Sequence, residues 1–228
     1  MKGSYRCNVS FRSRAQCPRS GDIVPMLGLL QLVVLYGFLG GSIKFIDQAY
    51  DEGSFSIKAA LVLAVLSGTV MGFLMARDSP FSTAFFAAML ISLVLARKID
   101  NLAFASGTAL AVVSLAAFYP SSQVTFLVVP IVAFLVAGFV DEVADGLVHR
   151  YGLRGPVQVF LNYRPFSDFA LFGMIVAGMF EWVYLLPYFA FTLSYLLVER
   201  ASEREYSLSS GIDRLRSMRL LGRIRLSR

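Results

Sequence analysis

Residues 57–76 read IKAALVLAVLSGTVMGFLMA: twenty residues, one charge at the very start and no proline. At a rise of about 1.5 Å per residue, an α-helix of this length covers about 30 Å, the thickness of a bilayer's hydrocarbon core. The stretch reads as a membrane span. The whole chain agrees: 57% of its 228 residues are hydrophobic and 16% charged, whereas soluble domains carry about 25% charged residues. Twenty Phe and ten Tyr suit the aromatic-rich interfaces of membrane helices.

Five more apolar stretches lie on either side: Ile23–Ile46, Phe81–Ala96, Leu102–Tyr119, Val124–Val140 and Phe169–Val198. The expectation is an all-α, polytopic transmembrane helix bundle of about six spans. A polar basic segment (1–22) precedes the membrane domain (23–199), and a basic tail (200–228) follows it. Pro130 and Pro187 fall inside two stretches and read as kinks. The last stretch has 30 residues, so it is either one long tilted helix or a surface helix turning into the bilayer near Glu181.

Six spans put both termini on the face of the turns Arg77–Pro80 and Pro120–Gln123. That face holds fourteen Lys and Arg, the opposite one seven. Basic residues mark the cytoplasmic side, so the expected location is the cell membrane, multi-pass, with both termini cytoplasmic.

The informative pattern is where the odd spans end. Ile46-Asp47-Gln48, Ile99-Asp100-Asn101 and Val140-Asp141-Glu142 each join an aliphatic residue to Asp and a polar partner, with a glycine further on. This echo suggests three helical hairpins in pseudo-threefold repeat. Asp47 and Asp51 are four apart, as are Asp141 and Asp145, so each pair shares a face if its helix continues. Helix C-termini carry partial negative charge, and acidic groups there call for something positive. Lys44, Arg97, Lys98, Arg150, Arg154 or a bound cation would serve. Carboxylates are the ligands Mg²⁺ prefers, which makes Asp47, Asp51, Asp100, Asp141 and Asp145 the expected metal ligands and Mg²⁺ the expected cofactor. The alternative is a set of solvated caps.

The run Glu142-x-x-Asp145-Gly146-x-x-His149-Arg150 resembles the start of the CDP-alcohol phosphotransferase signature, D-x-x-D-G-x-x-A-R. The later G-x-x-x-D-x-x-x-D is absent after Arg150. The D-x-x-x-D pairs are similar to the aspartate-rich motifs of UbiA-type prenyltransferases, which have more spans and asparagine-led motifs. Both resemblances imply carboxylates holding Mg²⁺ on a diphosphate beside lipid. The chain then reads as an enzyme acting on a lipid-linked or prenyl (di)phosphate, with Asp47, Asp51, Asp141 and Asp145 catalytic and Lys98, Arg150 and Arg154 on the phosphate.

A second expectation is a cation- or proton-coupled transporter or channel. Glu181 is its coupling group, because an ionisable side chain at membrane depth marks an ion path. Gly68, Gly72, Gly107, Gly138, Gly173 and Gly178 would let its helices pack closely. A third is a non-catalytic membrane subunit. The single histidine, His149, removes His-ligated metals and most Ser-His or Cys-His catalysis. Cys7 and Cys17 have no neighbouring histidine and make a poor zinc site. The partners expected are the lipid bilayer and a lipid-phosphate substrate; no nucleic-acid motif is present.

Overall fold

A computed structural model describes residues 28–51, 53–95, 101–121, 125–151, 155–156, 160–161 and 165–202, with the backbone alone at 142 and 145–150. They form helices and turns: α1 (Leu29–Asp51), α2 (Ile57–Arg77), α3 (Pro80–Leu95), α4 (Leu102–Phe118), α5 (Val128–Tyr151), α6 (Pro165–Val176) and α7 (Trp182–Ser202). Helices α1, α2 and α7 are long and apolar enough to cross a membrane; α3, α4, α6 and the segment Val128–Asp141 of α5 are apolar but shorter. Large apolar side chains such as Leu30, Val62, Val113, Val129, Phe139 and Leu193 point outward, as lipid-facing residues do. The described residues are all-helical, and their three long apolar helices are what a helical membrane protein requires.

Local chemistry sets the boundaries. Pro80 cannot extend α2, and Ser79 caps α3 by accepting the Ser82 amide at 3.2 Å, with Pro80 at the first helical position. Asn101 accepts the Phe104 amide at 2.9 Å. It opens α4 rather than closing the helix before it. Pro130 lies in the first turn of α5, and Pro187 lies where the 3-10 turn Trp182–Tyr184 passes into α-helix. Neither is a mid-helix kink, because a missing N–H costs least near a helix start.

The stretch 169–198 is not one long helix but two, α6 and α7, joined by a turn that ends at Glu181, where a turn was expected. It breaks at Gly178, whose φ is +72°. The Gly178 amide donates to the Ile175 carbonyl at 2.9 Å, and Met179 donates to Met174 at 2.9 Å. That pair of bonds is the Schellman stop, which favours glycine in the left-handed conformation. Helix α6, with 12 residues, is about 18 Å long and too short to span.

Two glycine seams hold the bundle. On α2, a Cβ at Gly68 would overlap the Gly107 carbonyl, and one at Gly72 the Ala111 carbonyl. Rising numbers face rising numbers, so α2 and α4 run parallel. The second seam joins α1 to α7. A Cβ at Gly40 would overlap the Phe191 carbonyl, Gly37 faces Ala190, and Gly41 faces Ser194 and Val198. These helices are parallel too, which places the start of α1 and the end of α7 at opposite ends. With the break at Gly178, α7 runs in the direction of α1; the terminal segments expected to share a face, 1–27 and 203–228, lie outside the described residues. Apolar side chains gain little by leaving lipid for one another, so close backbone approach of this kind is what binds membrane helices. Gly138 and Gly173 face no neighbour within 4 Å. The remaining core is aromatic, with Tyr36, Phe81, Phe85, Phe134, Tyr188 and Phe191 in ring contact.

Candidate functional site

A line of polar groups runs along one face of α7. Tyr184, Tyr188, Tyr195, Glu199 and Ser202 recur at spacings that keep them on one helical face, and Tyr184 to Glu199 covers about 22 Å. Each meets a group from another element.

At the end of α7, Glu199 pairs with Lys44 of α1 at 2.7 Å, and Asp47 stands 3.5 Å from the same ammonium. The Lys44 Nζ lies 5.0 Å from the centroid of the Tyr195 ring, within cation–π range. Ser202 donates to Gln48 Oε1 at 2.8 Å. Lys44 is buried among these partners while Glu199 is 34% exposed, so the pair lies between the surface and buried regimes. Lys44→Met is expected to lower stability by about 2 kcal/mol. The double variant Lys44→Met/Glu199→Gln should lose less than the single one, because it leaves one fewer unpaired carboxylate. Thermal unfolding of the four proteins in the cycle measures this; a double variant worse than Lys44→Met would contradict it.

In the middle of the bundle, Asp141 is 1% exposed. Its Oδ1 accepts the Phe166 amide at 3.0 Å, and its Oδ2 accepts the Ser167 amide at 2.9 Å and the Ser167 hydroxyl at 2.6 Å. A carboxylate on the open amides of a helix N-terminus is favourable on both hydrogen-bonding and dipole grounds. One turn on, Asp168 Oδ1 accepts the Tyr188 hydroxyl at 2.8 Å. Tyr188 is the seventh residue of α7, about 9 Å into that span. Helix α6 thus begins against α5 and α7, with two carboxyls at its first turn.

The expected site residues fall as follows. Helices α1 and α5 continue through Asp51 and Asp145, so each pair does stand one turn apart. Asp141 is ten residues short of the end of α5, not at an outgoing C-terminus, and its partner is α6. Asp47 faces Lys44, while Asp51 is exposed. Lys98, Asp100 and Arg154, and the side chains of Asp145 and Arg150, lie outside the described residues. Among the described residues no three Asp, Glu, His or Cys side chains come together to hold a metal, so Mg²⁺ finds no support there. Glu181 is exposed at the residue before Trp182, with no capping bond from its side chain; it stands at the start of α7 and not within it. Sequence reading missed Asp168, Tyr188, Glu199 and Asp78. For Asp168 the signal was Pro165-Phe-Ser167-Asp168, a proline-led first turn with an acid in it.

No protein family, characterised protein or solved structure matches the chain.

Proposed function

We propose that this protein is a cation- or proton-coupled membrane transporter or channel, with Asp168 as its coupling carboxyl. The observation that carries this reading is the Asp168–Tyr188 bond at the capped start of a helix too short to span. Lipid-exposed irregular backbone does not survive at membrane depth, but broken helices are tolerated where they are buried in protein or line a polar path. Short half-helices of this kind recur where carriers bind ions. A carboxyl with a tyrosine hydroxyl can take up and release a proton or cation without a metal cofactor. The polar face of α7 extends such a path for most of a bilayer's thickness.

In this reading the chain is multi-pass. Helices α3, α4 and α5 complete the crossings begun by α1 and α2, and α6 forms half of a discontinuous one. The end of α7 faces the cytoplasm, because the seven arginines of 203–228 follow it and basic residues favour that side.

Purified protein in liposomes tests the reading, with a pH dye inside, radioactive sodium outside and an imposed membrane potential. Wild type should pass protons or sodium above the protein-free rate. Asp168→Asn should lower that flux at least tenfold, and Tyr188→Phe should lower it less. Wild-type flux at the protein-free rate for both ions, or undiminished flux in Asp168→Asn, would refute it.

A further inference from the structure

We propose that the α2–α3 turn is a second ion site, taking one dehydrated monovalent cation of the sodium class on Asp78. Asp78 is 0% exposed, and hydroxyl groups are its side-chain partners among the described residues. Its Oδ2 accepts Ser79 Oγ at 2.9 Å and also Ser82 Oγ, and Ser82 Oγ meets the Tyr36 hydroxyl at 2.5 Å. Tyr184 of α7 lies close enough to interact with both Asp78 and Ser79. Oδ1 of Asp78 is buried with no hydrogen-bond partner among the described residues. A buried carboxylate oxygen without a partner is costly, and the way it is left decides what suits it. Both nearby serine protons go to Oδ2. A proton placed on Oδ1 would find no acceptor, whereas a cation needs only its lone pairs.

The surroundings favour a positive charge for a second reason. Asp78 sits at the C-terminal end of α2, where the helix dipole is negative. Asp78, Ser79, Ser82, Tyr36 and Tyr184 present only oxygens. One carboxylate balances one monovalent charge; Ca²⁺ sites usually gather more acid, and Mg²⁺ keeps its waters.

Burial pushes the Asp78 carboxyl above its ordinary value of 3.8, against the opposing hydrogen bonds of Ser82 and Ser79. Protons and the cation therefore compete for it. The other titratable groups in range are Tyr36 on α1, Tyr184 on α7 and, beyond Tyr184, Glu181. With a raised folded-state value, Asp78 favours folding fully below pH 3.8, and that contribution is lost as pH rises through the raised value.

The test is thermal unfolding of the full chain in detergent, in sodium chloride against choline chloride at equal ionic strength. Sodium should raise the wild-type Tm saturably at pH 8 and raise it less as the pH is lowered toward 4. Asp78→Asn should abolish the rise, and Ser82→Ala should weaken sodium at least tenfold. In choline the wild-type Tm should fall with rising pH, a slope that Asp78→Asn removes. A wild-type Tm indifferent to sodium at pH 8, or an equal rise in Asp78→Asn, overturns the proposal. If Asp78→Asn does not fold, radioactive sodium binding to wild type decides: saturable binding displaced by acid supports the site, and none overturns it. Sodium-blind behaviour at Asp78 leaves the flux expected through Asp168 standing.

Discussion

Gly72→Leu is expected to abolish the folded state or to lower Tm by about 10 °C or more. The added Cβ would overlap the Ala111 carbonyl and approach Ser114 Cβ to 2.6 Å and the Leu115 nitrogen to 2.8 Å. Two of these three are backbone atoms, which cannot rotate away. Overpacking that side chains can absorb costs about 1–3 kcal/mol. Here α4 as a whole must move, along its extensive contact with α2. A loss of 3 kcal/mol or more corresponds to roughly 10 °C for a domain of this size. Gly138 and Gly173 supply the control. With no neighbour within 4 Å, their alanine variants should be neutral or gain up to about 1 kcal/mol in helix propensity. The single tryptophan, Trp182, reports unfolding in all three. Equal losses at Gly72 and Gly138 would mean that the α2–α4 seam is not a close backbone contact.

The second large effect is expected from Asp141→Ala. It would leave the Phe166 and Ser167 amides and the Ser167 hydroxyl without the acceptor they share. The three bonds are partly buried, so each donor left unpaired should cost the low end of about 1–3 kcal/mol, a sum of about 3 kcal/mol. The loss should be local at first, because α6 is a short helix whose start is fixed by this side chain. Hydrogen exchange read by mass spectrometry should show 165–176 losing protection well before α1 or α2. Asp141→Asn retains one acceptor and should fall between the two. Unchanged exchange across 165–176 in Asp141→Ala would show that the cap does not hold α6 in place.

Much of the architecture was legible because lipid demands long apolar helices. The α2 and α4 boundaries lie within a residue or two of the apolar stretches, and Gly68, Gly72 and Gly107 do lie at a helix seam. What was not legible depended on pairing between distant segments. Gly178 reads in sequence as one more packing glycine, yet it stops α6 through its backbone conformation; that turn changes the direction of the final helix. Gly37, Gly40 and Gly41 form a seam that emerges only once α7 lies parallel to α1. Asp141 was singled out, but its role depended on a helix start 24 residues later. Asp78 lies in the turn Arg77–Pro80, and nothing local in the sequence indicates that Tyr36 and Tyr184 come near it. The acidic pattern at Asp47 and Asp141 was real as spacing; Lys44 and α6 respectively are what face those groups.

The most direct measurement of the coupling role is infrared difference spectroscopy of the protein in lipid, recorded as pH is shifted or sodium is added. A carboxyl that exchanges a proton or cation changes its carbonyl stretch when it does so. The wild type should show a carboxyl band that responds to one of these ions, and Asp168→Asn should lack that band while the Asp78→Asn spectrum keeps it. Identical difference spectra for wild type and Asp168→Asn would contradict the assignment of Asp168 as the coupling group.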